Sequence, residues 1–94
     1  MTNYVRKLLN DAQTAGLRMT VHGGGDEPDY SGHHPAEAEE AINAVEEAEL
    51  ELHDSSGNKV AWALIIDGVE PDERFADCGS GDWIDRWTRE NIAL

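Results

Sequence analysis

Cysteine is nearly absent, with one residue, Cys78, in a chain of 94. A lone thiol excludes an intramolecular disulfide framework and a cysteine-based zinc finger, and it points to a reducing compartment. Basic side chains are also scarce: seven Lys and Arg stand against twenty Asp and Glu, for a formal net charge of −13. Such a balance repels nucleic acid and anionic membranes and steers the chain toward basic surfaces, which disfavours direct DNA binding. No apolar run is long enough for a membrane span, and no basic-apolar leader opens the sequence. These absences predict a cytoplasmic protein with neither a membrane nor a nucleic acid as direct partner.

The chain length fits one domain, 1–94, because so few residues enclose a single core. Hydrophobic residues make up 39% of it and three tryptophans add burial, so it should fold without staples. Residues 3–15 place Tyr4, Val5, Leu8, Leu9, Ala12 and Ala15 on one side of a helical period, with Thr2 or Asn3 as N-cap and Gly16 as C-cap. LRMTV then alternates, with Leu17, Met19 and Val21 set against Arg18 and Thr20, which predicts a strand with one buried face.

The stretch HGGGDEPDYSGHH, 22–34, follows that strand and reads as a flexible acidic connection over 23–34. Pro35 suits the first turn of a helix over 35–48, with Glu37 near its positive end. Its apolar stripe is Ala38, Ala41, Ile42 and Val45, and its other side carries Glu39, Glu40, Asn43, Glu46 and Glu47. ELELH at 49–53 alternates, DSSGN supplies a hairpin turn, and KVAWALII returns. Both alternating sets of the return strand are apolar, which predicts a strand covered on both faces. DGVEPDE is a second connection, RFADC a short edge strand, and Ser80 a cap for a last helix. On that helix Trp83, Ile84, Trp87 and Leu94 share a side. Trp83 and Trp87 are expected to clamp it onto the sheet beside Trp62, with a dimer seam as the other use of an exposed pair. The expected fold is α+β, in the order α-β-α-β-β-β-α, a mostly antiparallel sheet packed by helices.

The hairpin residues Leu50, Leu52, Asp54, Gly57 and Val60 spell L-x-L-x-D-x-x-G-x-x-V, and Ala76 and Asp77 form an A-D strand beyond it. With the preceding Ala15-Gly16 step, this succession resembles small acidic proteins encoded by tailed bacteriophages and prophages. The resemblance covers residues 5–80 and rests on fold-defining positions; HGGGDEPDYSGHH departs from it. It implies an accessory factor, in the cytoplasm of a bacterial host, that acts on host machinery or host defence.

Several chemistries compete for the polar residues. His22, His33 and His34 with Asp26 or Asp29 supply zinc-type donors, but their spacing matches no zinc signature, so no metal or other cofactor is assigned. The triple glycine lacks the Lys and Ser/Thr of a phosphate loop, and three acids surround it. Cys78 stands beside Gly79 and Ser80 at a helix start, where a thiolate is favoured, yet a small packed cysteine is the simpler account. Paired acids such as Asp82 and Asp85 are unavoidable among twenty, so no catalytic residue is assigned and no enzyme is expected. The acids carry the stronger signal: Asp26, Glu27, Asp29, Glu39, Glu40, Glu46 and Glu47 are the expected partner-binding residues, continued outward by Glu49 and Glu51. Their expected partner is a basic protein surface, with a nucleic-acid-processing enzyme of the host as the boldest case, since clustered carboxylates imitate nucleic-acid charge. A metal-binding protein built on the histidine loop and a structural or assembly accessory remain the alternatives.

Overall fold

A computed structural model describes residues 3–67, 74–79 and 81–91. The elements run α1 (Tyr4–Thr14), β1 (Arg18–His22), β2 (Tyr30–Gly32), α2 (Pro35–Asn43), β3 (Glu47–His53), β4 (Lys59–Ile66), β5 (Phe75–Gly79) and α3 (Asp82–Asn91). The expected cap at Ser80, the connection over 68–73 and Leu94 lie outside the described residues.

Helix α1 forms where the sequence predicts. The Asn3 side chain accepts from the Arg6 amide at 3.0 Å, satisfying one of the amides that a helix start leaves without a partner. At the other end Gly16 takes φ +76°, and Leu17 N donates to Ala12 O at 2.9 Å while Gly16 N donates to Gln13 O at 3.0 Å. That pair of bonds is a Schellman closure, which turns the chain directly into β1. Val5, Leu8, Leu9 and Ala12 are all buried.

The sheet order is β2-β1-β3-β4-β5, with every neighbouring pair antiparallel. Register assigns the faces: Met19 lies opposite Leu52, Val21 opposite Leu50, Leu50 opposite Ala63 and Ala48 opposite Ile65. These inward side chains join one core with Leu8, Leu9, Ile42, Ile84 and Trp87 from the three helices. All helices therefore cover the same face, and the α+β fold has two layers, consistent with a least dimension of 20 Å.

Four expectations change. The connection after β1 contains an additional strand, because Tyr30–Gly32 folds back and pairs Thr20 with Ser31. Helix α2 ends at Asn43 rather than continuing to residue 48, and β3 starts at Glu47. The alternating Ala48, Leu50 and Leu52 prevail there: extended backbone buries all three against the helices, whereas helical continuation would scatter them around the axis. Among the described residues strand β4 is covered on one face only; Ala61, Ala63 and Ile65 are buried while Trp62, Leu64 and Ile66 keep partial exposure. Consequently Trp62 stands on the side of the sheet opposite α3 and does not join the clamp. Trp87 is buried there, with its indole N–H donating to Asp11 at 2.8 Å, and Trp83 is half-buried.

Candidate functional site

Strand directions gather acidic side chains at one end of the sheet. β1 runs toward His22, which pairs with Glu49, so the loop 23–29 leaves at the end where β3 begins and β4 finishes. α2 also finishes there, feeding β3 through Ala44 and Val45, and Asp67 N donates to Glu46 O at 2.8 Å. Asp26, Glu27, Asp29, Glu46, Glu47 and Asp67 are all exposed. Asp29 lines a shallow groove of about 380 Å³ with Tyr30, Glu37, Glu40, Ala41 and Ala44, so loop and helix acids share one surface.

Local chemistry fixes this loop. Asp29 N donates to Val21 O at 2.8 Å, anchoring its far end on β1. Gly23 has no room for a side chain, because a Cβ there would collide with the Asp29 carboxylate and press on Val45. Gly24 holds φ +101°, a conformation glycine adopts without strain. A carboxylate packed on the glycine run also disfavours a phosphate there.

Of the seven predicted partner-binding residues, six are exposed at or beside this end: Asp26, Glu27, Asp29, Glu40, Glu46 and Glu47. Two details differ from expectation. Glu46 and Glu47 reach the surface from the turn and the start of β3, not from α2. Glu39 faces α1, where its oxygens accept from Arg6 Nε at 3.1 Å and Nη2 at 3.2 Å, with the Asn3 amide at 3.4 Å. Its side chain keeps 14% exposure, so Glu39 joins the helices and is removed from the binding set.

Five of the seven basic side chains are engaged or stand at the opposite end of the sheet. Arg6 is held by Glu39, Lys7 approaches Asp11 at 3.3 Å, and Arg18 and Lys59 lie at the opposite end of their strands. Arg74 is buried with Nε on Ile66 O at 3.0 Å, and Arg86 and Arg89 belong to α3.

The histidines separate rather than converge. His22 turns to Glu51 (3.3 Å), the His34 amide donates to Tyr30 Oη (2.9 Å) at the start of α2, and His33 lines a groove with Arg18, Thr20 and His53. The expected alternative of a histidine-loop metal site thus loses its donor set: among the described residues no group of three or more His, Cys, Asp or Glu is arranged to hold a metal ion. Cys78 is half-buried on β5, its sulfur 3.7 Å from the Thr88 hydroxyl. That hydroxyl already donates to Ile84 O at 2.7 Å, so the thiol is the donor.

The uncovered sheet face has its own pattern, which sequence reasoning missed because it assumed a second layer. Register sets Glu47 opposite Ile66, Glu49 opposite Leu64 and Glu51 opposite Trp62, so an acidic column on β3 runs beside an apolar column on β4. Glu51 is the electrostatic hub, with His22 Nε2 at 3.3 Å, Lys59 Nζ at 3.6 Å and His53 Nε2 at 3.9 Å. Partial burial pushes its carboxyl up, but the hydrogen bond from His22, the charges of Lys59 and His22 and a hydrogen bond with Glu49 outweigh this. Together they hold it below the usual glutamate range.

The fold and this surface define a two-layer α+β domain with an acidic end and one half-acidic sheet face that none of the described residues covers. No family model matches the chain, and neither a curated protein nor a solved structure matches it. Among the described residues no helix is long and apolar enough to cross a membrane.

Proposed function

We propose that the chain is a non-catalytic binding module whose acidic end docks on a basic surface of another protein. The observation that carries this reading is the gathering of carboxylates from three separate segments at one end of the sheet, while Arg6 and Arg74 are engaged and Arg18 and Lys59 lie at the other end. Long-range attraction from such an end accelerates encounter with a cationic partner and weakens with salt. The finer reading is a phage-encoded accessory factor that occupies the nucleic-acid channel of a host enzyme, including an anti-CRISPR or anti-restriction inhibitor. It is supported by the net charge and by the hairpin resemblance, whose residues occupy structural positions: Leu50 and Leu52 point inward and Asp54 and Gly57 build the turn.

Reversing Asp26, Glu27, Glu40, Glu46 and Glu47 to lysine tests the reading. Capture of a host protein by the wild-type chain should be lost in this variant and displaced by heparin or duplex DNA. Capture that survives reversal would remove the acidic end from the mechanism.

A further inference from the structure

The sheet face opposite the helices carries a pattern that neither stability nor solubility requires. Trp62, Leu64 and Ile66 are absent from the set packed on the core and retain partial exposure; the Trp62 indole lies against Gly79 of β5, where a Cβ would sit 3.3 Å from Nε1. Soluble domains seldom leave a row of large apolar side chains on a surface without a partner for it. Immediately beside the row stand Glu47, Glu49 and Glu51, matched to it residue by residue.

We infer that this face is a docking site for a cationic amphipathic helix of a partner protein, the helix lying along β4. Resting on the reading of the chain as an acidic binding module, this inference names the partner's chemistry. Trp62 to Ile66 spans about 13 Å at ~3.3 Å per strand residue, and apolar side chains at i and i+8 of a helix span about 12 Å. Neighbouring strands are ~4.8 Å apart while a helix is about 10 Å across, so one helix covers both columns at once. Its apolar stripe meets Trp62, Leu64 and Ile66, and lysines or arginines along its flank meet the exposed Glu47 and Glu49, Glu51 being held by Lys59 and His22 of the same chain. A four-residue spacing on a helix rises about 6 Å, close to the ~6.6 Å between carboxylates on alternate strand positions. The docked helix would supply the layer missing from this side of the sheet.

Charge decides against the other occupants. A second copy would bring two acidic columns and two net charges of −13 together, and an anionic bilayer is repelled in the same way. An extended peptide adds to a sheet edge rather than lying across its face.

The test uses the full chain, isotope-labelled, and a synthetic helical peptide with leucines at i, i+4 and i+8 and lysines along one flank. Two controls replace every lysine by glutamate or scramble the order at constant composition. The ordered cationic peptide should shift the Trp62, Leu64 and Glu49 amides and the Trp62 indole, and both controls should bind at least about tenfold more weakly, or ~1.4 kcal/mol. Leu64→Ser and Glu49→Lys, each checked for an unchanged circular dichroism spectrum, should each weaken binding by about tenfold. Charge reversal at Glu90, exposed on α3 behind the sheet, should leave the shifts on Trp62 and Leu64 in place. Equal binding of the scrambled peptide, no binding of any peptide, or self-association through Leu64 would overturn the helix-docking inference. Shifts confined to loop 23–29 and α2 would overturn it too, while leaving the acidic-end reading intact.

Discussion

Replacing Glu51 with glutamine removes the anion shared by His22, Lys59 and His53 while preserving the volume and an acceptor for His22. The carboxylate is largely but not fully shielded, at 20% side-chain exposure, with Lys59 Nζ 3.6 Å away and the His22 and His53 rings at 3.3 and 3.9 Å. In bulk water a pair at that range is worth about 1 kcal/mol and in a partly shielded site up to about four times more, before desolvation is subtracted. After that offset the net loss should be about 0.5–1 kcal/mol at pH 7, or ~2–8 °C in Tm for a domain of this size. The pH dependence gives the sharper signature. The folded-state pKa of Glu51 is depressed below the ordinary value of 4.5, so its stabilisation is fully present above that value and disappears as pH falls through the folded value. Wild type and Glu51→Gln should therefore differ at pH 7 and converge in acid. Urea titrations followed by tryptophan fluorescence, at neutral pH and in steps below pH 5, measure this. Parallel stability curves at every pH would refute the assignment of Glu51 as the electrostatic hub.

Two further substitutions test the fold that positions these surfaces. Leu50→Ala empties the centre of β3, where the side chain has no exposure, and should cost about 2–5 kcal/mol in urea unfolding. Gly57→Ala has space for the added methyl but forces an L-residue to φ +87° in the β3–β4 turn, and should cost about 1 kcal/mol in the same assay.

The first helix, its Gly16 closure and the β3–β4 hairpin were legible in the sequence because each is a local signal: a 3.6-residue stripe, a left-handed glycine, an alternating pair around Asp54 to Asn58. In that hairpin the backbone N–H groups of Asn58 and Ser56 bond to the Asp54 carboxylate and hold it below the usual aspartate range, as expected for an aspartate that organises its own turn. Strand β2 was not legible. Three residues, the last of them Gly32, carry no period, and only pairing with β1 makes them a strand. The end of α2 was hidden for a different reason, since Val45 continues the helical stripe of Ala38, Ala41 and Ile42 and only the core's demand for Ala48, Leu50 and Leu52 on one side decides against it. The acidic end was visible as composition but not as geometry: six of seven expected residues reach it, and Glu39 is diverted by Arg6, 33 positions away. An all-apolar β4 suggested two covered faces, yet small alanines entered the core and the larger Trp62, Leu64 and Ile66 remained outside.

The salt dependence of association tests the central claim most directly. A captured basic partner, or an oligolysine probe in its absence, is titrated with the wild-type chain and with the Asp26, Glu27, Glu40, Glu46 and Glu47 lysine variant across ionic strength. Wild-type affinity should fall steeply from low salt, where the screening length is about 30 Å at 0.01 M, to physiological salt, where it is about 8 Å. The variant should bind weakly at low salt and show almost no further loss. Equal affinities and equal salt slopes for the two chains would contradict the account.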